Sequence, residues 1–152
     1  MQARMKNPAM VIPELREHAM ALGAAVHNSG AVPSATLHLV HLRVSQINGC
    51  GVCVDMGTRT SKKEGETDER LHAVAAWRDT ACFDDGERAA LALAEAVTRI
   101  ADSSDPVPDH VWDAAADHFD EKGLAVLVSM IAMSNMFNRI SVTTRQIAGT
   151  LH

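Results

Sequence analysis

The sequence predicts an all-α protein, on three observations. Aromatic residues are scarce, with three phenylalanines, two tryptophans and no tyrosine, whereas β-structure draws on tyrosine, phenylalanine and isoleucine. Alanine, leucine, methionine and valine dominate instead, and the first three lose little side-chain freedom in a helix. Proline and glycine fall at intervals that suit helix ends. With 152 residues, 47% apolar and 22% charged, the chain is composed like a globular protein and unlike a disordered one. Its length fits a single domain over residues 1–152.

A bundle of about six or seven helices is predicted, in this order. Pro13 opens the first, which runs to the Asn28-Ser29-Gly30 stop, and Pro33-Ser34 opens the second, which runs to Asn48-Gly49. Leu37, Val40, Val44 and Ile47 recur at spacings of three or four and mark one face of that second helix. A third starts at Cys50 and ends near Gly65. Thr67-Asp68-Glu69-Arg70 caps a short fourth helix to about Arg78, with acidic residues in its first turn. Asp84 or Asp85 caps the fifth, whose apolar surface is Ala89, Leu91, Ala92, Ala96, Val97 and Ile100. After the loop Asp102 to Pro108, a helix spans about Asp109 to His118 and a long one about Asp120 to Gly149. From Leu124 to Ile140 the last helix is apolar nearly all round, so it requires cover on more than one side, from the fold or from an oligomer interface.

Several functions are disfavoured by charge and hydropathy. Fourteen lysines and arginines stand against nineteen acidic residues, a net charge of −5, which offers no overall positive field to a nucleic-acid backbone. The apolar stretch Leu124 to Met133 is about half of the roughly 20 residues that a membrane span needs. The first residues, Met1 to Pro8, lack the apolar segment of an export signal. A cytoplasmic protein is expected.

The chemistry concentrates in Cys50-Gly51-Val52-Cys53, two of the chain's three cysteines. In a reducing compartment a C-x-x-C pair is redox-active or metal-binding before it is a structural disulfide. A closed zinc site needs four ligands, and no second C-x-x-C exists, so no resident metal is expected. If Asn48-Gly49 ends one helix and Cys50 begins the next, both sulfurs sit on a first turn, where unpaired N–H groups and the helix dipole favour the thiolate. Two residues three apart can also close a disulfide once the first sulfur is oxidised. The competing reading is two small buried apolar residues.

The run Leu42-Arg43-Val44-Ser45-Gln46-Ile47-Asn48-Gly49-Cys50-Gly51-Val52-Cys53-Val54-Asp55-Met56 resembles the core signature of the alkyl hydroperoxidase D-like branch of the carboxymuconolactone decarboxylase family. Trp77-Arg78, Phe83, Glu87 to Leu91 with Glu95-Ala96, and His118-Phe119 with Asn135, Asn138 and Arg139 extend the likeness to about residues 10–145. The resemblance implies an all-helical fold, assembly into homotrimers or homohexamers, and thiol-dependent reduction of a peroxide or disulfide at the expense of a thiol or dithiol reductant. It implies Cys53 as the peroxidatic nucleophile, Cys50 as the cysteine that resolves it, and no cofactor. The decarboxylase activity that names the family is not implied, because its own sequences lack this C-x-x-C.

The sequence departs from that pattern at the proton relay. Where the family places a glutamate, twelve residues before the first cysteine, stands His38; where it places a histidine, four residues after the second, stands Gly57. Either the relay is lost and the fold serves as a non-catalytic oligomeric binder of a small apolar ligand, or the changes compensate. In the second case Gly57 vacates space beside Cys53 and His38 supplies a base from the opposite helix, with His41 one turn further on. A third reading joins Cys50, Cys53, His38 and His41 around zinc or copper. His18, His27, His72, His110 and His152 show no constellation. Glu87-Arg88 reads as a capping or intersubunit pair, Arg43 and Asp55 as structural, and Cys82 as a passive thiol.

Overall fold

A computed structural model describes residues 2–149. Among them the regular structure is helical, with no strand: α1 (Pro8–Val11), α2 (Pro13–His27), α3 (Ser34–Ile47), α4 (Gly51–Lys63), α5 (Asp68–Ala73), α6 (Asp85–Thr98), α7 (Asp109–Ala116) and α8 (Glu121–Thr143). The all-α expectation holds, with three differences at element ends. The single turn α1 precedes Pro13, capped by Asn7, whose side chain accepts the Ala9 N–H at 2.9 Å; four residues carry no periodicity to read. The helix from Asp68 gives way at Val74 to a 3-10 segment, Val74–Asp79, which bends at Ala76. The last helix stops at Thr143 instead of Gly149, because the Thr144 hydroxyl folds back onto the Ile140 carbonyl at 2.8 Å and Arg145 takes a left-handed φ of 53°.

Helix α3 is the axis of the fold and packs against α4, α6 and α8. Leu37, Val40 and Val44 face one apolar cluster, shared with Leu93, Leu127 and Ile131, while Leu39 and Leu42 face a second, built on Val74, Trp77, Phe83 and Leu91. A helix flanked by both clusters is buried on more than one side, and the buried positions of α3 include the polar Thr36, His38 and Ser45. Ile47, expected on the buried face, is only half-buried, and Ile100, expected in the α6 surface, is exposed on a 3-10 turn. Asp84 and Glu87 close a reciprocal capping box at the start of α6, the Glu87 N–H reaching Asp84 at 2.8 Å and the Asp84 N–H reaching Glu87 at 3.1 Å. The capping role read for Glu87 is therefore observed.

By length and composition α8 is long and apolar enough to cross a membrane, longer than its purely apolar stretch suggested, and 50% of its most apolar window is buried within the fold. Leu127 and Ile131 are fully buried, and Val128 and Met136 are on its open side. Half of the cover that α8 requires comes from its own chain.

Candidate active site

The cysteine turn is set by the end of α3. Asn48 ends the helix and Gly49 follows with φ 65°, a conformation that a residue with a side chain adopts only under strain. The Cys50 N–H reaches the Ser45 carbonyl at 3.0 Å and the Gly49 N–H reaches Gln46 at 3.2 Å, a Schellman closure. The Asn48 side-chain amide donates to Asn138 at 2.9 Å and to Asn135 at 3.0 Å, and Asn138 donates to Ser45 at 3.1 Å, which fastens the corner to α8. Cys50 is thereby the cap of α4, and its sulfur accepts the Cys53 N–H at 3.3 Å. The two cysteines are joined as a disulfide, with Cα atoms 5.3 Å apart, and both are buried.

Beside this turn, one turn beyond Cys53 on α4, stands Gly57. A Cβ placed on it would meet His41 Cδ2 at 2.9 Å and Nε2 at 3.4 Å. The imidazole of His41, reaching over from α3, thus occupies the space that a side chain at position 57 would take. Its Nδ1 lies 3.1 Å from the hydroxyl of Ser134, a buried residue of α8. Burial pushes the His41 pKa below the ordinary 6.5, a hydrogen bond with the Cys53 backbone opposes that, and the neighbouring His38 and His27 reinforce it. His41 is accordingly neutral at pH 7.

His38 points elsewhere. Its Nδ1 is 3.6 Å from the Glu64 carboxylate, just past the end of α4, and its ring stacks at a tilt on His27, 5.6 Å between centroids. Glu64 follows Cys53 by eleven residues, about 16 Å of helix rise. Burial lowers the His38 pKa, Glu64 raises it and His27 lowers it again. The structure therefore brings His41, not His38, to the cysteine end of α4, and gives His27 a partner that the sequence did not suggest. Among the described residues no three metal-ligating side chains converge, so Cys50, Cys53, His38 and His41 do not form a common donor set. His152 lies outside the described residues.

Two neighbouring clefts, which share Val52 and Ser141, meet the cysteine turn. Cys53 and His41 line a cavity of about 370 Å³, walled by Met20, Val52, Met56 and Phe137. Cys50 lines a separate cleft of about 380 Å³ with Gly49, Arg145 and Gln146. One cysteine of the pair is thus presented to each.

The other signature residues hold the scaffold. Arg43 Nε donates to Glu95 at 2.7 Å, where Trp77 Nε1 at 3.0 Å and Arg78 at 2.6 Å also converge. Burial alone would raise the Glu95 pKa, but these donors hold it down to about 2. Asp55 accepts from Arg59 at 2.9 Å and from the Gly149 N–H at 3.1 Å. Cys82 is half-buried, with Thr80 as its contact. Sequence reasoning missed Ser134, although Ser134, Asn138 and Ser141 recur at spacings of four and three within an apolar helix, which is the signal of an inward polar stripe. It also missed Arg16 and Met20, because nothing local in α2 ties them to a cysteine more than thirty positions away.

An all-helical fold with a C-x-x-C pair capping one helix and a histidine packed against it defines an alkyl hydroperoxidase D-like protein. The chain belongs to the carboxymuconolactone decarboxylase family, whose model matches residues 13–96. It is 38% identical over 112 residues to the uncharacterized protein YdfG of Bacillus subtilis (strain 168), across 74% of this chain and 75% of that one. It superposes with a TM-score of 0.90 and 32% identity on a crystal structure of a protein of unknown function from Agrobacterium tumefaciens, a candidate AhpD antioxidant defence protein, covering 98% of this chain and 99% of that one. The apo debrominase Bmp8 shares the fold at TM-score 0.81 and 17% identity, over 91% of this chain and 73% of its own.

Proposed function

We propose that the protein is a cytoplasmic thiol-dependent oxidoreductase that reduces a peroxide or a disulfide with Cys53 and Cys50. The observation that carries this reading is the capping geometry: both sulfurs lie at the N-terminus of α4, already joined, with Cys53 opening into the cavity that His41 lines. Membership of a family that includes enzymes, and likeness to a candidate antioxidant protein, support it.

An organic hydroperoxide is reduced in three steps. Neutral His41 takes the Cys53 thiol proton, and the thiolate attacks the outer peroxide oxygen. The O–O bond breaks, the alcohol leaves with a proton from His41, and Cys53 becomes a sulfenic acid. The Cys50 thiol then attacks the Cys53 sulfur and expels water, closing the disulfide. An external dithiol, reaching Cys50 through the second cleft, reduces the pair and is itself oxidised to a disulfide. Helix-end N–H groups favour the thiolate at each stage.

The test is a thiol count on reduced protein before and after mild peroxide or disulfide treatment, with mass spectrometry of the alkylated peptides. Loss of two hydrogens across the peptide of Cys50 and Cys53 supports the reading. Loss of thiol confined to Cys82 refutes it.

A further inference from the structure

The cavity over Cys53 is built from apolar side chains, Met20, Val52, Met56 and Phe137 among them, and its one formally charged lining residue is Arg16. The other titratable groups there are His41, whose pKa burial lowers, and, in the reduced protein, the Cys53 thiol. Arg16 is exposed in the first turn of α2. Its guanidinium makes no hydrogen bond or ion pair with another described residue. Arg43, Arg59, Arg70, Arg78 and Arg99 by contrast face carboxylates, and Arg145, which also lacks such a partner, lines the other cleft beside Cys50. In a protein of net charge −5, a free cation at the mouth of an apolar cavity is complementary to an anion with an apolar body. A guanidinium fits a carboxylate through two parallel hydrogen bonds. The volume, near the low end of the roughly 300–1,000 Å³ range of small-molecule sites, limits that body to a short chain.

We propose that this cavity binds a short alkyl chain carrying a carboxylate, with the chain against Phe137 and Met56 and the carboxylate on Arg16, so that the substrate of Cys53 is an organic hydroperoxide with a carboxylate end. The substrate statement rests on the oxidoreductase reading above; the binding statement does not.

The test uses non-reactive probes. The reduced protein is alkylated with iodoacetamide, a neutral reagent, and modification of Cys53 is followed by peptide mass spectrometry in the presence of octanoate, 1-octanol or acetate. Octanoate is expected to protect Cys53, with 1-octanol weaker by about fivefold, the scale of one exposed ion pair, and acetate without effect. In Arg16→Ala, octanoate should fall to the level of 1-octanol, at unchanged melting temperature. Equal protection by the two eight-carbon probes, protection by acetate, or an octanoate effect that survives Arg16→Ala would each overturn the proposal, as would no protection at all. No peroxide is present, so a protein that lacks peroxidase activity still gives a decisive answer here, and the thiol count described above is independent of Arg16.

Discussion

His41 and Gly57 share one volume. The glycine on α4 leaves out a side chain, and the imidazole from α3 fills the space, so close that a single methyl group at position 57 would stand 2.9 Å from His41 Cδ2. The two positions are therefore coupled. In a helix interior Gly→Ala normally gains about 1 kcal/mol, yet Gly57→Ala is expected to leave the melting temperature unchanged or lower it, because the His41 ring would have to swing off Ser134. In a His41→Ala background the same substitution should raise it. Thermal unfolding of the four proteins of this cycle reads a coupling of about 1–3 kcal/mol for residues in contact; simple additivity would contradict the shared volume.

If His41 is the base for Cys53, its removal should matter more than that of His38. His41→Ala is expected to lower peroxide turnover by about 10²-fold, the lower end for a lost general base, and to slow alkylation of Cys53 at neutral pH. His38→Ala, next to Glu64 instead, should change either rate far less. The pH profile carries an independent sign. His41 must be neutral to accept a proton, and its pKa lies below 6.5, so activity should persist as pH falls through 6.5 and decline only below it. A limb at or above 6.5, or equal losses in the two variants, would remove His41 from the role.

Glu95 is expected to dominate acid stability. Its carboxyl titrates at about 2 in the folded chain against an ordinary 4.5, so the folded state releases that proton more readily than the unfolded one. The stabilisation is fully present above about 4.5, is lost as pH falls from there through about 2, and amounts to about 3 kcal/mol. Lowered pKa values at His38 and His41 act in the same direction at higher pH, eroding stability as pH drops below 6.5. Glu95→Gln should cost about 3 kcal/mol at pH 7, since Arg43 is left buried without its anion. It should also flatten the denaturant midpoint between pH 4.5 and 2. A midpoint that falls as steeply in the variant would assign the acid limb to other carboxylates.

Much of this architecture is legible in local signals. Pro13, Ser34, Asp84 and Asp120 sit at or beside the helix starts they announce, because caps and prolines act within a few residues. Asn48-Gly49 fixes the corner that presents Cys50, again a local rule. The family resemblance marks Gly57 as a vacancy beside the cysteines and His38 as the imidazole to fill it, with His41 second. The two histidines lie one turn apart on the same side of α3, so which of them stands opposite Gly57 is set by how far α3 is shifted along α4, and no local signal reports that. Ser134 and Arg16 come from helices distant in sequence and are visible only once α2 and α8 are packed.

The surface of α1 and α2 carries Met10 and Met20, each 64% exposed, with Val11, Ile12 and Leu22 at 45% or more. On a protein surface such side chains are normal singly, but Met10, Val11 and Ile12 are consecutive, and a run of that kind marks an interface. Val142, also exposed, and Met136 lie on α8, which packs against α2. A closed assembly of identical subunits covers such side chains on every copy without leaving a free edge, and the family resemblance implies a homotrimer or a homohexamer. The interface should centre on α1, clear of the cavity that Arg16 and Met20 line, and Met10→Glu together with Val11→Glu should release monomers that remain helical. Light scattering with circular dichroism reads both properties. A wild-type monomer at micromolar concentration would refute the assembly, and an unchanged mass in the double variant would move the interface away from α1.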